Sequence, residues 1–167
     1  MARLLSLNEA MSLRRAWKAE GRRVVFTNGC FDLLHAGHVR YLEAARILGD
    51  RLLIGLNSDG SIRRIKGPRR PVTPQAERAE ILLALASVDG VVLFEEDTPL
   101  RIIEALIPDI LVKGSDWSPD RIVGREQVES NGGCVATIPL LEGRSTSGLI
   151  RAAGLRSPDP GDDPRRP

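Results

Sequence analysis

Cysteine and histidine are scarce in this 167-residue chain, with two of each. Two thiols, Cys30 and Cys134, do not make the disulfide framework that staples small secreted domains, so both are expected to be reduced. Long apolar runs are missing as well, and no stretch approaches the length a bilayer-spanning helix needs. Near the amino terminus, Arg14, Arg15 and Lys18 follow a polar-interrupted segment with no apolar core before a small-residue cleavage site. No secretory leader is therefore expected, and the cytoplasm is the default location. Excess charge of one sign is also lacking: a net charge of +2 argues against a general nucleic-acid binder covered in basic residues. There is no internal repeat, no three-glycine dinucleotide fingerprint and no P-loop, which removes the two commonest explanations of nucleotide binding.

What is present is concentrated. Both histidines fall in Thr27-Asn28-Gly29-Cys30-Phe31-Asp32-Leu33-Leu34-His35-Ala36-Gly37-His38, three residues apart around a glycine, directly after the apolar Val24-Val25-Phe26. That apolar segment reads as a short buried strand. The stretch from about His35 to Leu48 reads as a helix with Tyr41, Leu42, Ala45 and Leu48 on one face. His35 and His38 then share one side of its first turn. Unpaired backbone N–H groups and the positive end of the dipole make such a helix start an anion site, and Gly37 leaves room for close approach. The alternative is a pair of surface or capping histidines. No metal ligands are assigned, because apart from Cys30 and Asp32 no carboxylate or cysteine stands at a recognised spacing from the pair. Cys30 as a nucleophile would need a depressed pKa and a base, so its backbone is expected to matter more than its sulfur.

The remaining elements alternate. Residues 7–20 read as an amphipathic lead-in helix with Ser6 as N-cap and Gly21 as its end. The continuous apolar run Arg51-Leu52-Leu53-Ile54-Gly55-Leu56 reads as a strand buried on both faces, ended by Asn57-Ser58-Asp59-Gly60. Arg63, Arg64, Lys66, Arg69 and Arg70, broken by Gly67 and Pro68, predict a basic loop that is either solvated or a mobile clamp over phosphates. Thr73 and Pro74 suit the N-cap and first position of a helix to about Ala86, with Ile81, Leu82 and Leu85 apolar. Arg78 shares that apolar face and either snorkels or reaches an anion. Residues 88–94 form a third expected strand, Thr98-Pro99 opens a helix with Leu100, Ile103 and Ile107, and Asp109 to Val112 forms a fourth strand. The end of that fourth strand carries Lys113-Gly114-Ser115-Asp116-Trp117, where open α/β sheets bind ligands. Asn131-Gly132-Gly133 feeds a fifth strand, Cys134 to Ile138, and Arg144-Ser145-Thr146-Ser147 precedes a short helix ending near Gly154. The expected fold is α/β: a Rossmann-like, doubly wound, parallel five-stranded sheet in three α/β/α layers. It occupies one domain, residues 1–155, followed by a disordered tail at 156–167.

His35-Ala36-Gly37-His38 and Ser145-Thr146-Ser147 resemble, in the expected order, the two signatures of the His-x-Gly-His nucleotidyltransferase superfamily, the cytidylyltransferase-like proteins. The likeness narrows through Thr27 to Tyr41, Arg70-Pro71-Val72, Phe94 to Pro99, Leu111 to Gly114 and Asn131-Gly132-Gly133. Over roughly residues 4–154 these are similar to the adenylyltransferases of ADP-heptose biosynthesis. The resemblance implies an enzyme that joins ATP and D-glycero-D-manno-heptose 1-phosphate to give ADP-heptose and pyrophosphate, for heptose-containing glycan or lipopolysaccharide precursors. It implies a stand-alone form whose sugar phosphate comes from a separate sugar kinase, Mg²⁺ arriving with ATP, and a homodimer as in similar proteins, with no nucleic acid or membrane partner. By the same resemblance His35, His38 and Lys66 are catalytic. Asn28, Gly29, Cys30, Phe31, Gly37, Lys113, Asp116, Trp117, Arg144, Ser145 and Thr146 would bind nucleotide, and Asp32 and Arg78 the sugar phosphate. Asp32 is also expected to hold the turn or a histidine tautomer. Two other readings remain: a cytidylyltransferase acting on glycerol 3-phosphate or a similar alcohol phosphate, and a noncatalytic nucleotide- or nucleic-acid-binding module.

Overall fold

The computed structural model describes residues 2–139 and 146–152. The expected tail at 156–167, and Arg144 and Ser145, lie outside the described residues. Six parallel strands make one sheet: β1 (Arg3–Leu5), β2 (Val24–Gly29), β3 (Arg51–Asn57), β4 (Gly90–Phe94), β5 (Ile110–Gly114) and β6 (Cys134–Ile138), in the order β1-β4-β3-β2-β5-β6. The doubly wound architecture is as expected, but the strand count rises from five to six. β1 is three residues long and sits at the edge against β4, too short to show a period in sequence.

Seven α-helices accompany the strands among the described residues: α1 (Leu7–Ala19), α2 (Ala36–Ile47), α3 (Asp59–Lys66), α4 (Gln75–Leu83), α5 (Leu100–Leu106), α6 (Arg125–Ser130) and α7 (Thr146–Ala152). α1 begins in a capping box, in which Ser6 and Glu9 satisfy each other's backbone N–H, and it stops at Gly21, whose φ of 71° is left-handed. α3 corrects the expected basic loop. Ser58 caps its start by accepting from Ser61 N–H, and Arg63, Arg64 and Lys66 fall in its last turn before Gly67 at φ 90° ends it. Pro74, not Thr73, holds the N-cap position of α4, which ends at Leu83, earlier than expected, and leaves Ile81 exposed. Leu48 is likewise the C-cap of α2 and exposed, while Tyr41, Leu42 and Ala45 face the core.

Alternation along the strands divides the apolar core into two layers. Val25, Leu52, Ile54, Val91, Ile110 and Val112 pack on one face of the sheet with Leu42, Ala45 and Leu82 of α2 and α4. Val24, Phe26, Leu53, Val92 and Leu111 pack on the other with Trp17, Ile103 and Val128 of α1, α5 and α6. β2 lies between β3 and β5. The chain winds outward from β2 through β3 to β4, then crosses back to β5 and β6, which makes the carboxyl ends of β2 and β5 the topological switch point.

Candidate active site

β2 delivers the chain at the switch point into a turn that regular backbone would not make. Phe31 (φ 45°) and Leu33 (φ 48°) are both left-handed without being glycine, and they flank Asp32, which is 1% exposed. Asp32 is held by Arg70 Nε at 2.7 Å and by the backbone N–H groups of Val72 (3.0 Å) and Thr73 (2.9 Å). Its carbonyl accepts from Thr146 Oγ1 at 2.7 Å. The turn ends where His35 caps α2, its Nδ1 accepting the Gly37 N–H at 3.1 Å. With Nδ1 used as an acceptor, the neutral ring carries its proton on Nε2.

His38 stacks on His35 with ring centroids 4.0 Å apart, and the Phe31 ring tilts against it at 5.5 Å. Burial, and then the neighbouring His35, pull the His38 pKa down to about 4. His38 is therefore a neutral hydrogen-bonding group at physiological pH, and His35, accepting at Nδ1, has only Nε2–H to donate. His38 Nδ1 and Asn28 Oδ1 are buried without a hydrogen-bond partner among the described residues, the condition of polar atoms that await a ligand.

Positive charge comes from two lysines. Lys113 of β5 reaches across the switch point, its Nζ 3.4 Å from the Asn28 carbonyl and 5.4 Å from the centre of the Trp117 ring. Burial depresses its pKa to about 8, against the opposing influence of Cys30 and Asp116. Lys66, half-buried at the end of α3, acts on the Cys30 thiol from the β3 side, as do Arg78 and Arg70. Desolvation outweighs these cations and pushes that thiol up, so it stays protonated and is no nucleophile. Asp116 and Trp117 are exposed at the end of β5, in the turn that Trp117 N–H closes onto the Gly114 carbonyl.

Arg78 is fully buried, and its guanidinium is spent inside the fold. It donates to the carbonyls of Cys30 (2.5 Å), Asn57 (3.0 Å) and Thr73 (2.9 Å) and to Asp59 Oδ1 (2.8 Å). Neither it nor Asp32 faces solvent as a sugar-phosphate ligand would, at variance with the role the resemblance implies; Asp32 holds the turn. Thr146 is also engaged, as the donor to Asp32. Sequence reasoning missed Arg70 as the buried partner of Asp32, and Tyr41, whose hydroxyl bridges Thr27 Oγ1 at 2.8 Å and the Val112 carbonyl at 3.2 Å. A carboxylate placed directly after a buried strand was the available signal for a cation partner. No three His, Cys, Asp or Glu side chains gather as a metal cage among the described residues. No helix among them is long and apolar enough to cross a membrane.

An open parallel sheet with a histidine-capped helix start and a lysine at its switch point is the layout of nucleotide-handling proteins, and to that class the fold and site assign this chain. Residues 26–131 match the cytidylyltransferase-like family, and the chain belongs to it, a family of nucleotidyltransferases. Among curated relatives, the bifunctional protein HldE of Geotalea uraniireducens is 55% identical over 149 residues, covering 89% of this chain and 30% of the relative. HldE of Mesorhizobium japonicum is 58% identical over 147 residues (88% and 30%), and HldE of Trichlorobacter lovleyi is 60% identical over 135 residues (81% and 28%). The chain thus spans about 30% of the length of the curated relatives it matches. Of solved structures, the lipopolysaccharide core biosynthesis protein of Thermoplasma volcanium aligns with TM-score 0.60 and 26% identity, covering 72% of this chain and 98% of that one. Pantoate-beta-alanine ligase of Francisella tularensis shares the fold, with TM-score 0.62 at 13% identity, covering 94% and 74%.

Proposed function

We propose that the protein is an adenylyltransferase that joins ATP and D-glycero-D-manno-heptose 1-phosphate to give ADP-heptose and pyrophosphate. The observation that carries the reading is the stacked His35–His38 pair, with His38 Nδ1 unpartnered among the described residues, and the half-buried Lys113 across the switch point. The choice of substrates is supported by the HldE relatives and by the likeness to a lipopolysaccharide core biosynthesis protein.

In the proposed reaction an oxygen of the sugar phosphate attacks the α-phosphorus of ATP in line, and pyrophosphate leaves. The attacking phosphate is already ionised near neutral pH, so no general base is needed, and none of the buried carboxylates is assigned that role. Catalysis comes from positioning and from fixed donors aimed at charge developing on the non-bridging and leaving oxygens. His35 and His38 supply neutral N–H donors, and the backbone from Asn28 to Phe31 lies against the triphosphate. Lys113 draws the nucleotide phosphates to the switch point, with Asp116 and Trp117 near base or ribose. Lys66 approaches from the β3 side to neutralise phosphate charge. Mg²⁺ bound with ATP would screen the triphosphate, with its ligands coming chiefly from phosphate and water. By the resemblance, Arg144 and Ser145 would also bind nucleotide. A kinase that phosphorylates the sugar at its anomeric position has to supply the acceptor.

The test is pyrophosphate release by the purified protein with Mg²⁺ and each pairing of ATP or CTP with heptose 1-phosphate or glycerol 3-phosphate. Release with ATP and heptose 1-phosphate, and not from ATP alone, is expected. Turnover confined to CTP and glycerol 3-phosphate contradicts the proposal. Salt-sensitive RNA or DNA binding without any turnover would make the protein a binding module instead.

A further inference from the structure

The strained turn between β2 and α2 has to be held by its surroundings, because left-handed φ at Phe31 and at Leu33 is unfavourable for both side chains. The holding contacts converge on one short segment, residues 70–73. Thr73 is held through both of its backbone groups: the N–H donates to Asp32, and the carbonyl accepts from Arg78 Nε. Arg78 also grips the turn itself, donating through Nη1 to the Cys30 carbonyl, two residues before Asp32. Its Nη2 fixes the ends of β3 and the start of α3 through Asn57 and Asp59. Asp32 completes the ring of contacts through Arg70, which closes the segment that begins at Lys66. The largest fully buried side chains include this arginine, although an apolar residue would fill the same volume without the cost of burying a charge. An apolar residue would, however, leave the carbonyls of Cys30, Asn57 and Thr73 without these partners.

The geometry points to Arg78 as a positioning residue for the transfer reaction: with Asp32 it forms a clasp that locks the phosphate-binding turn and the 70–73 segment into one rigid body. Neither residue touches substrate. The clasp sets where the backbone of Asn28 to Phe31 and the His35–His38 pair stand, and it fixes the far end of the segment that starts at Lys66. The inference rests on the proposed adenylyl transfer for its catalytic part, and on the contacts alone for its rigid-body part.

Two readouts on the full chain test it. The first, amide hydrogen exchange of the free protein, needs no activity. In Arg78→Lys, exchange at Phe31 to Leu33 and at Val72 and Thr73 should rise about tenfold or more, with the amides of β5 unchanged. The second is steady-state kinetics, measured well below the variant's own melting temperature. There kcat should fall about tenfold or more while KM for ATP stays within about threefold, because misplacement of the turn costs the transition state more than the ground state. Unchanged exchange at Val72 and Thr73 overturns the clasp. Unchanged kcat in the folded variant makes Arg78 a scaffold residue only, and a raised KM with unchanged kcat makes it a substrate contact; either overturns the proposal. If Arg78→Lys fails to fold, Asp32→Asn opens the other jaw and must raise exchange at the same two amides, and no rise overturns the clasp. A wild-type protein that transfers no adenylyl group defeats the functional reading and leaves the exchange result to decide the clasp.

Discussion

Two imidazoles stacked at 4.0 Å share a site in which a second positive charge is costly, and burial adds to that cost. In the proposed reaction, donation by an uncharged His38 N–H, with His35 beside it, is the pair's contribution to phosphate. Replacing His35 or His38 with Ala should each lower turnover about a hundredfold in a protein that stays folded, the usual cost of losing one aimed donor. Near-normal turnover in both variants, measured as pyrophosphate release, would contradict the assignment. The same perturbation shapes stability. His38 titrates at about 4 when folded and at about 6.5 when unfolded, so between those values the unfolded chain binds more protons. The stabilisation it contributes is whole above pH 6.5 and is lost as pH falls towards 4. Urea unfolding should show wild type losing about 2 kcal/mol more than His38→Ala between pH 7 and pH 5; parallel losses would contradict the burial of a neutral ring. Lys113 titrates at the other end of the range. Above a pKa of about 8 the free protein loses this ammonium, so kcat/KM for ATP should fall as pH rises through 8. In Lys113→Met the same limb should be flat and lower throughout. At this scale the sequence was readable for the histidines, whose spacing around Gly37 announces a helix start. It was not readable for Arg78, whose partner Cys30 lies 48 residues away and whose place on an apolar helix face left snorkelling and anion contact equally open.

Among the elements, α3 shows how one composition serves two structures. Asn57-Ser58-Asp59-Gly60 has the residues of a turn, yet Ser58 and Asp59 are also good helix starters, and the oligobasic stretch that follows suits a last turn facing the negative end of the dipole. Only Ile62 is a fully buried apolar residue on this helix, so its periodicity was too thin to read against the Gly67-Pro68 breakers. Lys66 consequently projects from a capped helix end and not from a free loop. Lys66→Ala should therefore raise KM for a phosphate-bearing substrate and lower turnover without loss of stability, as judged by thermal unfolding. Unchanged kinetic constants would remove Lys66 from the site. β1 escaped notice for the opposite reason: three residues at a sheet edge carry no period at all. The central strands were plain because burial on both faces demands continuous Val, Leu and Ile.

For the whole molecule, the order β1-β4-β3-β2-β5-β6 does the organising. It brings two lysines to opposite sides of β2 and leaves the histidine turn between them, the arrangement on which the proposed phosphate site rests. The alternation of strands and helices was enough to anticipate the doubly wound sheet. How the sheet edge is laced, through Asp32, Arg70, Arg78 and Tyr41, depends on contacts between distant segments and emerges only once the chain is folded. The central claim is direct transfer of an adenylyl group between bound phosphates, with no covalent protein intermediate. It is tested most directly by the stereochemical course of the reaction with heptose 1-phosphate and ATP carrying a chiral α-thiophosphate. A single in-line displacement predicts an ADP-heptose analogue with inverted configuration at phosphorus; retention of configuration, or no transfer to the sugar phosphate under conditions where the nucleotide is bound, would contradict it.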